Sequence, residues 1–425
     1  MKALDDVSRV LDLVRRVTIE GPQGIAYDGL RMFQHPDRVQ RVLTGEAWAV
    51  SPVTIDLWPS LSCNARCPLC PYRMSGARDV VDRSEDLELL SLAQAREILI
   101  GAAVTGVRSV IFTGGGEPLL HPNVPRLAAL AREAGLQWAL FTNGIRLNSS
   151  LAAELLALRP AFLRISLDAG TADAHSRIYA TPPSAFSEVV ANAVAGARIA
   201  AEIGTRAFGL SFTLGATTDE KDLIEIREII RYISDESGGG LGLVAFRPRT
   251  VHYRRGLPCC PQPHGNRFIA LASAVRSIVI DPLELACRHP PRMDIKAGLF
   301  RLAASDSLTP ACYSSPWMTT IDHTGVGYVT AELAGAPGME LDWGRMDERR
   351  DFGKFWGEER RRSIVHQLET GGLKLPLVHR TSPVDAFLTQ LRDAVEMPLE
   401  GKQAARIINA VISAQWYRSV NGDFV

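Results

Sequence analysis

The 425-residue chain has no excess of either charge: 47 Lys and Arg face 47 Asp and Glu. A balanced chain has no global field to draw it to nucleic acid or to a membrane surface, so neither is expected as a partner. It has no run of about 18 apolar residues, the length a membrane-spanning helix needs. The opening residues, Met-Lys-Ala-Leu-Asp-Asp-Val, carry acids where an export signal has an apolar core. No internal repeat and no low-complexity tract is present. The first apolar strand is not followed by a Gly-x-Gly-x-x-Gly turn, which argues against a nicotinamide-binding Rossmann domain. These absences leave a soluble, cytoplasmic protein as the expectation. Thiols stay reduced there, so the seven cysteines are expected to serve as metal ligands rather than as disulfides.

A hydrophobic fraction of 46% is enough for a sizeable core, and the length suggests two or three domains. Helical apolar spacing appears at Leu4–Arg16 and again at Pro36–Leu43. From Val53 to Arg249 strand and helix patterns alternate. Strands are expected at Val53–Trp58, Val107–Thr113, Gln137–Thr142, Phe162–Asp168, Ala207–Leu214 and Leu241–Phe246. Helices are expected between them at Leu92–Gly106, Val124–Ala134, Leu151–Leu158, Phe186–Ile203 and Leu223–Ile233. Ser91 supplies an N-cap for the first of these, with Gln94 at the capping-box position. Six strands joined by helices call for right-handed crossovers and a parallel sheet. The fold class expected is therefore α/β, a partial (β/α)6 TIM barrel over residues 51–250 with its active site at the strands' C-terminal ends. Residues 1–50 read as a helical preface, 251–345 as a Cys-containing region with a β-hairpin near Pro316–Val329, and 346–425 as a helical tail.

The first strand runs into Cys63-Asn-Ala-Arg-Cys67-Pro-Leu-Cys70-Pro-Tyr72, three thiols at C-x3-C-x2-C spacing in a loop stiffened by Pro68 and Pro71. Thiolates favour iron–sulfur clusters or zinc. Structural zinc normally takes four closed ligands, so a set of three is informative. On a 4Fe–4S cube, three thiolates leave one iron open. One βα unit later, the second strand ends in Thr113-Gly114-Gly115-Gly116-Glu117-Pro118. Glycines here let a ligand approach the backbone, and Glu117 offers a carboxylate to an ammonium group.

These two segments resemble the radical S-adenosylmethionine (SAM) superfamily. The resemblance assigns Cys63, Cys67 and Cys70 to a 4Fe–4S cluster, and Gly115, Gly116 and Glu117 to the methionyl amine of SAM. It further implies that Asn143 faces the same rim, that Ser166 and Asp168 meet the SAM ribose, and that Arg177 grips the SAM carboxylate through bidentate bonds. Leu69 stands where the family often has an aromatic residue. An external one-electron reductant of flavodoxin or ferredoxin type is implied. So is a 5′-deoxyadenosyl radical that abstracts hydrogen from an unactivated carbon.

Four cysteines remain. Cys259, Cys260, Cys287 and Cys312 make the count that one auxiliary 4Fe–4S cluster needs. One of Cys259 and Cys260 could instead stay a free thiol that returns hydrogen to a substrate radical. Cys312 and the hairpin containing Gly325 resemble the opening of a degenerate SPASM or twitch extension, although Thr330 stands where that extension normally has its next Cys. Several families of this build tailor amino sugars and aminocyclitols of antibiotics, by dehydration, dehydrogenation or epimerisation, and others mature ribosomally made peptides. A small hydroxylated or amino-sugar substrate is the expectation. The alternatives are a maturase of ribosomally made peptides and, more distantly, a non-catalytic metal-binding protein.

Overall fold

The computed structural model describes residues 2–19, 32–68, 70, 89–215, 217–249, 253–254, 257–258, 267–296, 316–329, 331, 341–346, 352–370, 372–373, 382–395 and 397–413. The chain alternates strand and helix from residue 54 onward. β1 is Thr54–Leu57, β2 Ser109–Phe112, β3 Gln137–Thr142, β4 Phe162–Ser166, β5 Phe208–Leu214 and β6 Leu243–Pro248. Each pairs in parallel with the next. A two-residue ribbon, β7 (Tyr253–Arg254) with β8 (Leu257–Pro258), follows.

The parallel sheet is wider than six strands. β9 (Arg292–Ile295) adds in parallel to β6, and β10 (Met318–Ile321) adds in parallel to β1. The expected hairpin is present, with β11 (Val326–Tyr328) antiparallel to β10 around Gly325. β12 (Asp342–Arg345) extends it, giving the order β12-β11-β10-β1-β2-β3-β4-β5-β6-β9. The barrel is open, because β12 and β9 are not joined among the described residues.

Alternation along the strands sorts the two faces. Ile55, Leu57, Val110, Phe112, Trp138, Leu140, Leu163 and Ile165 turn outward into one core shared with the covering helices. Each large side chain buried there contributes about 1.5–3 kcal/mol. The other face holds a smaller apolar cluster of Ile111, Ala139 and Met318, with Phe141 and Phe162 against it. Thr54, Asp56 and Ser109 alternate with the outward residues, and the Thr54 and Ser109 hydroxyls meet at 2.8 Å. The Arg164 guanidinium lies 3.9 Å over the Phe141 ring.

Ser91 does cap the helix Leu92–Val104, accepting the Gln94 N–H at 3.0 Å. Gln94 does not close a capping box. Its side-chain amide donates to Thr324 O (3.0 Å) and Met346 O (2.9 Å), which ties the helix to the hairpin turn. The two ends of the chain meet in a second apolar core. Val10, Leu13 and Val14 of the helix Lys2–Ile19 pack with Val39 and Val42, Phe387 and Leu391, and Ile407 and Ile408.

Arg361, on the helix Glu359–Thr370, is fully buried, stacked 3.5 Å over Trp356 and donating to Trp48 O and Trp356 O. Near it, burial pushes the Glu369 carboxyl up to about 7, with Arg361 and Arg392 only partly offsetting the shift. A folded-state value above the unfolded one gives stability that is full below about pH 4.5 and lost as pH rises through about 7. The urea midpoint is expected to fall between pH 5 and pH 8.5, by roughly 2 kcal/mol in unfolding free energy. Glu369→Gln should flatten that dependence; an unchanged slope in the variant would contradict it.

Candidate active site

The three-thiol loop leaves β1 at its C-terminal end and crosses the end of β2. What fixes it there is backbone approach. A Cβ on Gly116 would stand 2.2 Å from the Ser62 carbonyl oxygen, and one on Gly115 would stand 2.8 Å from Leu61 and Trp58 side-chain atoms. The Glu117 N–H donates to that same Ser62 carbonyl at 2.8 Å. The glycines expected to admit a ligand thus first admit the residue preceding Cys63. Gly116→Ala is expected to cost about 1–3 kcal/mol, because backbone atoms and not a flexible side chain must yield. Urea unfolding reads that cost, and iron retained after anaerobic reconstitution should fall with it.

Within the loop, Cys63 Sγ accepts the Ala65 N–H at 3.4 Å and the Cys70 N–H donates to Cys67 O at 3.1 Å. All three thiols are half-buried. Burial first, then Glu117, pushes the Cys63 thiol up, and Cys67 and Cys70 add to the shift. Cys67 is pushed up to about 12 by burial, Cys70 and Asp168, with Arg249 opposing. Thiols this hard to ionise stay protonated unless a cationic centre takes the charge. Among the described residues no group of three His, Cys, Asp or Glu stands close enough to share one metal ion. A cube, by contrast, takes each thiolate on a separate iron.

Glu117 is 3% exposed and engaged on both oxygens. Thr142 Oγ1 (2.6 Å) and the Leu119 N–H (3.0 Å) donate to Oε1, and the Asn143 N–H (2.7 Å) donates to Oε2. Burial raises its pKa, and these three donors oppose the shift. The carboxylate therefore staples the end of β3 to the end of β2. Asn143 carries the staple onward, its side-chain amide donating to Asn64 Oδ1, beside Cys63, at 2.7 Å. Thr142 and Asn64 were not singled out by the sequence reading.

Asp168 occupies a similar place two strands further, past the end of β4. It does not continue β4, which ends at Ser166; its φ of 55° is left-handed, so alternation with Ser166 stops there. Its Oδ1 accepts the Thr213 N–H of β5 at 2.7 Å, and its Oδ2 lies 3.1 Å from the Tyr179 hydroxyl and 3.9 Å from Arg249. Ser166 keeps its hydroxyl at the rim, 3.5 Å from that of Ser211. Arg177 is exposed on the short helix Ala172–Tyr179, a helix that the sequence reading passed over. The cation brought beside Cys67 and Asp168 is Arg249, at the end of β6.

Cys287 is not brought to this rim. It is buried near the start of β9, against Ser234 and Asp235 of the helix Glu220–Glu236, at the strands' opposite end. Burial raises its pKa. Cys259, Cys260 and Cys312 lie outside the described residues.

Comparison with known proteins agrees with this geometry. Residues 59–230 match the profile of the Radical SAM superfamily. An AdoMet-dependent heme synthase of Methanosarcina barkeri is 26% identical over 184 residues, 43% of this chain and 46% of the relative. A PqqA peptide cyclase of Streptomyces rochei is 34% identical over 132 residues, 30% of this chain and 35% of the relative. A dTDP-4-amino-4,6-dideoxy-D-glucose ammonia-lyase of Streptomyces venezuelae is 32% identical over 100 residues, 23% of this chain and 19% of the relative. In each case the chain matches less than half of the relative's length. Among solved structures, SuiB from Streptococcus suis shares the fold with a TM-score of 0.56 at 13% identity, over 75% of this chain and 69% of that one.

Proposed function

Residues 59–230 form a radical SAM domain, and from that premise we propose that the protein abstracts hydrogen from a small hydroxylated or amino-sugar substrate. The observation that carries the reading is the three-thiol loop, seated on Gly115, Gly116 and Glu117 at the C-terminal rim of an open parallel barrel. A 4Fe–4S cluster held there would supply the one-electron chemistry that cleaves SAM reductively. The chain binds, orients and excludes water around that chemistry. Cys63, Cys67 and Cys70 would hold the cluster. Backbone groups of Gly115 and Gly116 would meet the methionyl amine, and Ser166 the ribose. An external one-electron reductant of flavodoxin or ferredoxin type completes the system.

The substrate class rests on the barrel's inner face, where Asp56, Arg164 and Ser211 stand on the same side as the apolar patch of Ile111, Ala139 and Met318. Such a lining suits a polyhydroxylated ring, and the partial match to an amino-sugar ammonia-lyase supports it. A peptide substrate is the second reading, favoured by the match to a PqqA peptide cyclase. The test is formation of 5′-deoxyadenosine by anaerobically reconstituted, reduced protein. Stimulation by an amino sugar or aminocyclitol is expected. Stimulation only by peptides would replace the substrate class, and zinc in place of about four irons per chain would overturn the whole reading.

A further inference from the structure

We propose that Tyr179 is a positioning residue that locks the three-thiol loop to the rim of β4. The inference rests on the radical SAM reading for what the loop holds. Tyr179 closes the short helix Ala172–Tyr179 and reaches in two directions. Its carbonyl oxygen accepts the Arg66 N–H, in the middle of the loop and next to Cys67, at 2.9 Å. Its hydroxyl lies 2.5 Å from Ser166 O and 3.1 Å from Asp168 Oδ2, so one phenol proton serves two acceptors at the end of β4.

The surroundings hold the ring in place. Tyr179 is 5% exposed, and His175, one turn earlier, stacks on it with ring centroids 4.5 Å apart. Phe186 also meets that imidazole, tilted to it with ring centroids 5.6 Å apart. Asp168 is itself fixed by the Thr213 N–H. One residue therefore links the loop, through its backbone carbonyl, to the β4 end, through its hydroxyl, and by way of Asp168 to the β5 end. On the opposite flank Asn143 reaches Asn64 from the Glu117 staple. Cys63 and Cys67 are thus gripped from two separate rim carboxylates, and Tyr179 is the connection on the Cys67 side.

The test compares Tyr179→Phe with the wild-type chain in two measurements. Hydrogen exchange at the Arg66 and Cys67 amides, read on cluster-free protein, is expected to quicken about tenfold, the scale of one lost hydrogen bond. The Kd for SAM, read on reconstituted protein at equal iron content, is expected to rise by a similar factor. A residue that only contributed to overall stability would lower the melting temperature and leave both values alone; that result overturns the proposal. Because hydroxyl and carboxylate act as a unit, Asp168→Asn should move both values in the same direction, and the double variant should be no worse than Tyr179→Phe alone. Additive losses would overturn the proposal too. If Tyr179→Phe does not fold, Asp168→Asn carries the test through the exchange rates alone, which are expected to quicken by a smaller factor because the phenol keeps its Ser166 acceptor; unchanged rates overturn the proposal. A wild-type chain that takes up no iron sinks the radical SAM reading, whereas the exchange comparison needs no cluster and judges Tyr179 separately.

Discussion

Cys67→Ala is expected to abolish 5′-deoxyadenosine formation and to leave reconstituted protein without a site-bound four-iron cluster. Two remaining thiols cannot hold the cube in the way three do. Its folded stability should change little, because the side chain is half-buried in a loop and not part of either apolar core. Iron analysis, visible absorbance and thermal unfolding separate those two statements. The instructive control is Cys287→Ala. That thiol belongs to the core behind β9, so its removal should cost about 1 kcal/mol in packing while iron bound at the rim stays at the wild-type level. Equal iron in wild type and Cys67→Ala would end the assignment of this loop.

The second large effect is expected at Glu117. Replacing it by alanine strands three buried donors, the Thr142 hydroxyl and the N–H groups of Leu119 and Asn143. Each stranded donor costs about 1–3 kcal/mol, and costs within one network do not add in full, so a loss of roughly 3–5 kcal/mol in unfolding free energy is expected. Glu117→Gln is the sharper probe. It keeps the shape but must turn an NH2 group toward at least one donor, and a loss of about 1–3 kcal/mol is expected from that one mismatch. Because Asn143 passes the connection to Asn64, each variant should also weaken cluster retention, alanine more than glutamine. Urea unfolding beside iron content measures the two effects on one sample. An alanine variant as stable as wild type would show that the staple carries no load.

Much of the scaffold could be read directly. Gln137–Thr142 has the expected limits, and the other five of the first six strands lie within a few residues of theirs. Each is a short run rich in apolar residues, and helical patterns stand between them. β9 and β10 show how far that signal reaches. Met318–Ile321 carries a strand pattern, and its hairpin partner β11 lies next to it in sequence. Its other neighbour, β1, is more than 250 residues earlier. Edge hydrogen bonds come from the backbone and are blind to side-chain type, so no composition rule names that partner. The helix Ala172–Tyr179 was missed for a different reason. It is eight residues long, mixes polar and apolar positions, and stops at Ala180 in a left-handed conformation before two prolines.

The candidate site divides in the same way. Which atoms can bind soft metal is written in the chain: three thiols at C-x3-C-x2-C spacing and a glycine run ending in an acid are local facts, set by a few consecutive residues. What holds those atoms in place is not. Glu117 grips Thr142 and Asn143, Asn143 grips Asn64 across 79 positions, and Tyr179 joins Arg66 to Asp168. Arg249, just past the end of β6, acts on Cys67 from 182 positions away, while Arg177 is exposed on its helix. Ligand identity follows from side-chain chemistry, which each residue carries alone. Ligand position follows from hydrogen bonds between distant segments, and those exist only once the sheet has brought its strand ends to one rim.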